Sequence, residues 1–472
     1  MKVLLIDPPW YSLQGMSSAP VALGLGYLAS CLERAGHKCL IFSGEVGIVK
    51  RIKHQKVVLE DGEDETSQLK RNPAWKKVIE KLSFLLQRFK PEIVGITIPT
   101  AKYQIARELV NFIKARNKKI KIVVGGPHPT ILPEDTLKIE EIDFVVRGEG
   151  EETLVELVDS IEKGKNTDKI KGISYKKKGK IINQPSRKYI ENLDLLPFPN
   201  WDLLYGHDKI PVNCLGTIIG SRGCPYQCIF CASKKIWGLR VRYRSIENII
   251  QEIKEKKEKY GIDLFNFNDD SFTIRKEEVM KFCNTLIREK IKINWKSDTR
   301  VNLVDFELLK KMKESGCVQI SMGIECGNDK MLKYVKKGIT VEQVVKAFEI
   351  ANKLGIGTLA YFMIGFPNET KEDIEDAINL MKKVKPSHPC WSIVTPYPGT
   401  ELYEICMREG LIQENIDWEK FHHHSDKMGF SKNLTRKELM DIAKKIEKIT
   451  FRMKLRYYLM HPKRLLKELK LI

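Results

Sequence analysis

Cys224, Cys228 and Cys231 stand in the run Ser221-Arg-Gly-Cys-Pro-Tyr-Gln-Cys-Ile-Phe-Cys-Ala232, a C-x3-C-x2-C cluster on a tight loop. Three thiolates are one short of closing a tetrahedral site. Structural zinc sites usually close with four Cys or His ligands, most often built on C-x2-C pairs, whereas a cubane iron–sulfur cluster held by three cysteines leaves one iron open to a ligand. The spacing points to a 4Fe-4S cluster with chemistry at its open corner; zinc with Cys214 as fourth ligand is the competing arrangement. The remaining cysteines (Cys31, Cys39, Cys283, Cys317, Cys326, Cys390 and Cys406) are scattered singly, and the total of 11 is odd. That usage suits a reducing, cytoplasmic compartment, where lone thiols behave as small core hydrophobes.

A chain of 472 residues is long enough for about three domains with their own cores. Residues 1–190 alternate apolar strands (Val3–Ile6, Cys39–Phe42, Ile93–Ile98, Ile120–Val124, Phe144–Val146) with amphipathic helices (Ala22–Ala35, Ala74–Phe89, Ile105–Arg116, Glu151–Glu162). This predicts an α/β, Rossmann-like doubly wound sheet whose ligand lies at the carboxyl ends of the strands. A GxGxxG fingerprint is absent from the first strand-to-helix turn, which argues against NAD or FAD. A basic hairpin, Ile173–Ile182, turns at Gly179, and the proline-rich stretch 191–210 reads as an extended linker. Between 211 and 400 the strands Gly216–Gly220, Leu264–Asp269, Ile291–Ser297, Val318–Glu325, Leu359–Ile364 and Cys390–Thr395 each precede a helix. Six βα units predict a partial (β/α)6 barrel, with the cysteine loop after its first strand. Ser245, Thr340 and Thr370 mark helix starts, Thr340 with Gln343 as a capping box. Residues 401–472 form a C-terminal helical region, opened by Thr435-Arg-Lys-Glu438.

The cysteine motif, with aromatic Phe230 just before the third cysteine, resembles that of the radical S-adenosylmethionine (SAM) superfamily. In that family the open iron chelates the amino and carboxylate groups of SAM, and an electron from the cluster cleaves it to methionine and a 5′-deoxyadenosyl radical. The loops Gly125-Gly-Pro-His128 and Arg147-Gly-Glu-Gly-Glu151 resemble those of the cobalamin domain in B12-dependent members. The resemblance implies three cofactors: a 4Fe-4S cluster on Cys224, Cys228 and Cys231, SAM, and cobalamin. It implies SAM contacts from Phe230, from Asp269 or Asp270 (ammonium), Arg300 (carboxylate) and Glu325 (ribose), with Phe362-Met-Ile-Gly-Phe-Pro-Asn-Glu-Thr370 beside the adenine. Cobalamin contacts fall to Pro8, Thr97, Gly125, Gly126, His128, Glu149 and Gly150. The Asp-x-His-x-x-Gly motif that supplies a cobalt-ligating histidine in some cobalamin domains is missing, so His128 reads as a loop residue beside the cobalamin tail. The implied reaction is methylation of an unactivated carbon or phosphorus centre in a small molecule or lipid, with an electron donor such as ferredoxin or flavodoxin. Ring cyclisation or rearrangement is the alternative within the group, and a non-catalytic cobalamin or metal sensor the alternative outside it. A methylthiotransferase acting on tRNA would bring three further cluster cysteines, and the N-terminal block offers only Cys31 and Cys39.

Net charge is +20, but lysines and glutamates interleave along helical faces and no RNA-binding signature is present, which argues against nucleic acid as partner. The start Met1–Pro9 reads as a strand rather than a signal peptide, and no apolar run reaches the ~18 residues that span a bilayer. The tail 454–470 is basic and amphipathic; its leucine stripe is expected to pack on the barrel, with peripheral contact to an anionic membrane as the alternative. His422-His-His424 offers adjacent side chains on an irregular segment, a poor arrangement for converging on one metal.

Overall fold

The computed structural model describes residues 1–10, 13, 21–46, 69–412, 416, 418, 421 and 429–460, and the chain divides into two compact units, Met1–Leu215 and Gly216–Ile472. The triplet at 422–424 and the tail beyond 460 lie outside the described residues.

In the first unit seven strands form one sheet: β1 (Lys2–Asp7), β2 (Lys38–Ser43), β3 (Ile93–Thr97), β4 (Lys121–Gly125), β5 (Phe144–Val146), β6 (Ile173–Lys177) and β7 (Lys180–Asn183). Their order is β2-β1-β3-β4-β5-β6-β7, parallel through β5 and antiparallel beyond it. Val3, Leu4, Leu5 and Ile6 are all buried, as strands covered on both faces must be. The order reverses between β1 and β3, and such a switch point opens a crevice at the carboxyl ends of the strands. The β6–β7 hairpin turns at Lys178-Gly179, both with positive φ, the conformation a two-residue type I′ turn requires. Segment 191–210 makes short turns on this unit: Trp201 is fully buried, its indole N–H donates to the Leu215 carbonyl at 3.0 Å, and Leu204 bridges to Ile41.

The second unit holds a parallel sheet of β8 (Thr217–Ile218), β11 (Leu264–Phe267), β12 (Asn294–Thr299), β13 (Cys317–Glu325), β14 (Gly357–Ile364) and β15 (His388–Ile393), in the order β15-β14-β13-β12-β11-β8. A small antiparallel pair, β9 (Ser221–Arg222) with β10 (Arg242–Tyr243), follows β8. Six parallel strands with their two edges unpaired make the open (β/α)6 half-barrel expected from the sequence. The third barrel strand begins three residues later than expected, because Ile291 turns back to donate to the Leu286 carbonyl while Trp295, Ser297 and Thr299 supply the buried face. Trp295 joins Phe267, Phe272 and Phe282 in an edge-packed aromatic core under β11 and β12. Thr340 and Thr370 both form full capping boxes, the second through Asp373, and Ser245 caps its helix by accepting from the Asn248 N–H.

Beneath β8 lies a buried ionic triad. Glu252 bonds Lys256 at 2.8 Å and also accepts from Arg244, which in turn donates to the Ile219 carbonyl at 2.9 Å, and Lys256 donates to the Thr217 carbonyl at 3.0 Å. Burial opposes ionisation of Glu252, yet Lys256 and Arg244 outweigh it and hold the carboxyl below the usual glutamate range. Removing the carboxylate strands two buried cations against the strand that leads to the cysteine loop. Glu252→Ala is therefore expected to destabilise the unit by about 3 kcal/mol, read as a lower denaturation midpoint, with cluster content falling in parallel.

Candidate active site

The cysteine loop leaves β9 at Gly223, whose φ of 105° and position 2.4 Å (as a Cβ) from the Arg240 carbonyl oxygen admit no side chain. Ile229, buried, ties the loop to two later segments: its N–H donates to the Val335 carbonyl at 3.1 Å, and its carbonyl accepts from Leu402 at 2.8 Å. Phe230 meets the Phe366 ring at 6.1 Å. Cys228 is buried and Cys224 and Cys231 are half-buried. Burial, then the charge of Asp270, push the Cys224 and Cys231 thiols up, Cys231 to about 11. A bound metal reverses this, since a coordinating thiol is deprotonated outright.

The expected SAM contacts all lie at the carboxyl ends of barrel strands, in distinct environments. Asp269 is buried and occupied: one carboxylate oxygen accepts from the Gly220 N–H at 2.9 Å and the other from the Ser221 hydroxyl at 2.5 Å. Burial lifts its carboxyl to about 6. Asp270 instead projects on the cysteine side, accepting from Ser233 at 2.6 Å. The two neighbours are thus separated into a strut for the β8–β9 turn and a free carboxylate edge beside Cys224 and Cys231.

Arg300 is buried against the cysteine loop. Its guanidinium stacks on Tyr226 at 3.6 Å from the ring centroid, approaches the Cys228 sulfur at 3.7 Å, and donates to Asn302 and to the Lys337 carbonyl. These bonds use three of its five N–H groups, leaving two for a carboxylate. A cationic donor on a ligand sulfur favours the reduced, more negative cluster. Arg300→Met is expected to move the cluster midpoint potential down by on the order of 59 mV, a tenfold drop in the reduced-to-oxidised ratio at fixed poise; an EPR-monitored titration without SAM reads it.

Glu325 sits where β13 shifts register, with φ at 71°, a conformation that costs a β-type residue energy and persists only when surroundings enforce it. The enforcing partner is Lys337, whose amine bonds the carboxylate at 2.7 Å with both side chains buried. A Cβ at Gly323 would lie 2.3 Å from Glu325 Oε1 and 2.6 Å from Lys337 Nζ, which gives the Gly-Ile-Glu pattern a steric reason. Lys337 also lies over Phe230, 5.9 Å from its centroid. In the loop after β14, Glu369 accepts from the Gly365 and Phe366 N–H groups, and burial raises its carboxyl to about 7.

Glu369 was placed from sequence only within the run beside the adenine, and Lys337 had no assigned role, nor had a polar row inside the barrel: Asp298 pairs in register with Ser321, and Tyr361 lies one strand further on the same face. Burial raises Asp298, and burial then Asp298 lift the Tyr361 phenol to about 12, so both stay protonated over a wider range than usual.

In the first unit the expected cobalamin contacts line the carboxyl edge of the sheet. Gly126, with φ at 100°, would as a Cβ bearer meet Thr97 Oγ1 at 2.8 Å, and Gly150 would meet Leu28 at 3.0 Å, so the backbone is bare where a large planar ligand needs close approach. The Pro8 carbonyl accepts from Lys102, which bonds Asp7 at 2.6 Å and lies 3.7 Å from Glu45, a charged cluster that sequence reading passed over. His128 is buried with Nδ1 3.3 Å from Thr100 and Nε2 3.6 Å from Asp135, its ring against Tyr103. Glu149 is buried and accepts from the Ile190 N–H at 2.7 Å. Bare glycine backbone at Gly126 and Gly150 leaves room for a large planar ligand to approach the strand ends closely.

A three-cysteine loop at the carboxyl edge of an open parallel half-barrel, in a chain that also carries a doubly wound unit, defines a redox enzyme class built on a site-differentiated cluster. Residues 218–381 match the radical SAM superfamily and residues 19–158 the B12 binding domain. An uncharacterized methyltransferase of Pyrococcus horikoshii, PH0819, is 36% identical over 89% of this chain and 86% of its own. The anaerobic magnesium-protoporphyrin IX monomethyl ester cyclase of Rubrivivax gelatinosus is 30% identical over 89% of this chain and 72% of its own. Among solved structures, the radical SAM methyltransferase TsrM from Kitasatospora setae, with cobalamin and a 4Fe-4S cluster bound, superposes with a TM-score of 0.67 at 17% identity, covering 87% of this chain and 76% of that one. The chain belongs to the cobalamin-binding radical SAM enzymes, and its cofactors are a 4Fe-4S cluster, SAM and cobalamin. Among the described residues no helix is long and apolar enough to cross a membrane.

Proposed function

We propose that the protein is a methyltransferase acting on an unactivated carbon, or a phosphorus, of a small-molecule or lipid substrate. The observation that carries this reading is the alignment, along nearly nine-tenths of the chain, with a relative named as a methyltransferase. When bound, the cluster supplies the electron that cleaves SAM and cobalamin supplies the methyl carrier. This chain's residues supply placement. Asp270 accepts the SAM ammonium, the two remaining Arg300 donors take its carboxylate, and Glu325, fixed by Lys337, accepts from the ribose hydroxyls. Phe230 and Phe366 form an apolar wall that keeps water from the reacting atoms, and Asp298, Ser321 and Tyr361 anchor polar groups of the substrate. Thr97, Gly125, Gly126, Glu149, Gly150 and Pro8 shape the cobalamin crevice, with His128 supporting it from behind. The electron comes from a one-electron carrier of the ferredoxin or flavodoxin kind.

A second reading, ring cyclisation, draws on the cyclase relative. The two differ in SAM stoichiometry. Methylation consumes two SAM and releases one S-adenosylhomocysteine for each 5′-deoxyadenosine, whereas cyclisation releases 5′-deoxyadenosine alone. Anaerobically reconstituted protein with SAM, hydroxocobalamin and dithionite is expected to form 5′-deoxyadenosine that a Cys228→Ala control does not. S-adenosylhomocysteine in equal amount during substrate turnover supports methyl transfer, and its absence selects cyclisation.

A further inference from the structure

The helix Arg436–Met460 buries one face against the barrel: Leu439 and Ile446 share a core with Ile364, Ile374, Ile378 and Leu434, and Ile442, Ala443 and Ile449 pack beside them. Toward its end the same side of the helix stays on β15, where the Tyr458 hydroxyl lies 3.0 Å from His388 Nε2 and Tyr457 meets the same imidazole ring. Positions 444, 448, 451, 455 and 459 are three or four residues apart, so they lie on one side of the helix, and it is the side turned away from the core. Lys444 and Lys448 begin this face and Phe451, Leu455 and Leu459 continue it, 68%, 51% and 73% exposed. Of the four most exposed large apolar side chains among the described residues, these are three; the other is Leu195 at 66%. A lone exposed leucine is ordinary, but three in register on one helix form a patch with a purpose.

We infer that this face docks the enzyme on an anionic phospholipid bilayer. Phe451, Leu455 and Leu459 enter the boundary between headgroups and acyl chains, while Lys444, Lys448 and Arg452 meet the lipid phosphates, the division of labour of a helix that lies in the interface plane. Charge selects this occupant. Residues 444–459 carry six basic side chains (Lys444, Lys445, Lys448, Arg452, Lys454, Arg456) and one acidic one, Glu447. A second copy of the same face would bring like charges together; an anionic membrane attracts them. The inference is independent of which reaction the barrel performs.

Co-sedimentation of the full-length protein with extruded vesicles tests it. The wild type is expected to pellet with phosphatidylcholine–phosphatidylglycerol vesicles and not with pure phosphatidylcholine, and to be released as salt rises. The exposed triple substitution Phe451→Ser, Leu455→Ser, Leu459→Ser is expected to lower partitioning at least about tenfold with an unchanged thermal melt. Substituting Lys444, Lys448 and Arg452 by glutamate is expected to abolish the preference for anionic lipid. Wild-type protein that stays in the supernatant, or a serine variant that binds as well as wild type, overturns the proposal. So does light scattering that shows a dimer which the serine variant converts to monomer without any vesicle binding, because the face is then a subunit interface.

Discussion

Asp270→Asn is expected to weaken SAM binding by about tenfold to a hundredfold, the worth of a charge-assisted hydrogen bond to an ammonium, while iron and sulfide content stay at the wild-type level. The contrast with its neighbour makes the experiment specific. Asp269 spends both carboxylate oxygens on the turn between β8 and β9, through the Gly220 N–H and the Ser221 hydroxyl. Asp269→Asn must therefore loosen the strand that carries the cysteine loop, and is expected to lower the melting temperature and cluster content together. Asp270 is tied to the fold through the Ser233 hydroxyl rather than through a strand turn, so its loss should leave the melt unchanged. Burial raises the Asp270 carboxyl, so SAM affinity is expected to fall off on acidification earlier than an ordinary aspartate would dictate. Isothermal titration with SAM under anaerobic conditions across pH separates the outcomes. Equal affinity in wild type and Asp270→Asn would remove this residue from the site.

What the sequence made legible follows from how local each signal is. The cysteine spacing needs no tertiary knowledge, since the eight residues from Cys224 to Cys231 set the ligand count, and the apolar runs of β1, β3 and β4 declare a sheet buried on both faces. The three-residue displacement of β12 arose because Ile291–Ile293 look like strand, and only the demand that Trp295 face the aromatic core fixes the register. Choosing between Asp269 and Asp270 was out of reach for a related reason: adjacent strand-end residues point to opposite sides, and which side faces the cysteines depends on the β8–β9 turn some fifty residues earlier. Lys337 was hidden by abundance. In a chain with 81 lysines and arginines, one buried lysine carries no local mark, and its partner Glu325 is twelve residues away across a bulge. The Lys102–Asp7–Glu45 cluster was invisible likewise, as β1, β2 and the turn after β3 meet only in the folded sheet.

The Glu325–Lys337 pair carries the second large effect. Lys337→Met leaves a buried carboxylate unpaired on a residue already held at positive φ, and is expected to cost about 3–5 kcal/mol of stability. Glu325→Gln removes the charge from the other side and is expected to cost less, because the lysine stem is flexible enough to carry its amine outward. The double variant should recover much of the loss, since two neutral groups of similar size replace a desolvated pair. Function separates the two sides of the pair further. Lys337 meets Arg300 through its backbone carbonyl, which any side chain keeps, so Lys337→Met leaves the contact between Arg300 and Cys228 in place, and the cluster potential should not move. SAM affinity should drop in both single variants, because the charged ribose acceptor is reduced to a neutral amide oxygen in one and swings free in the other. In the double variant, stability returns while SAM affinity stays low. If affinity recovered along with stability, Glu325 would be a strut of the β13 bulge with no contact to the cofactor.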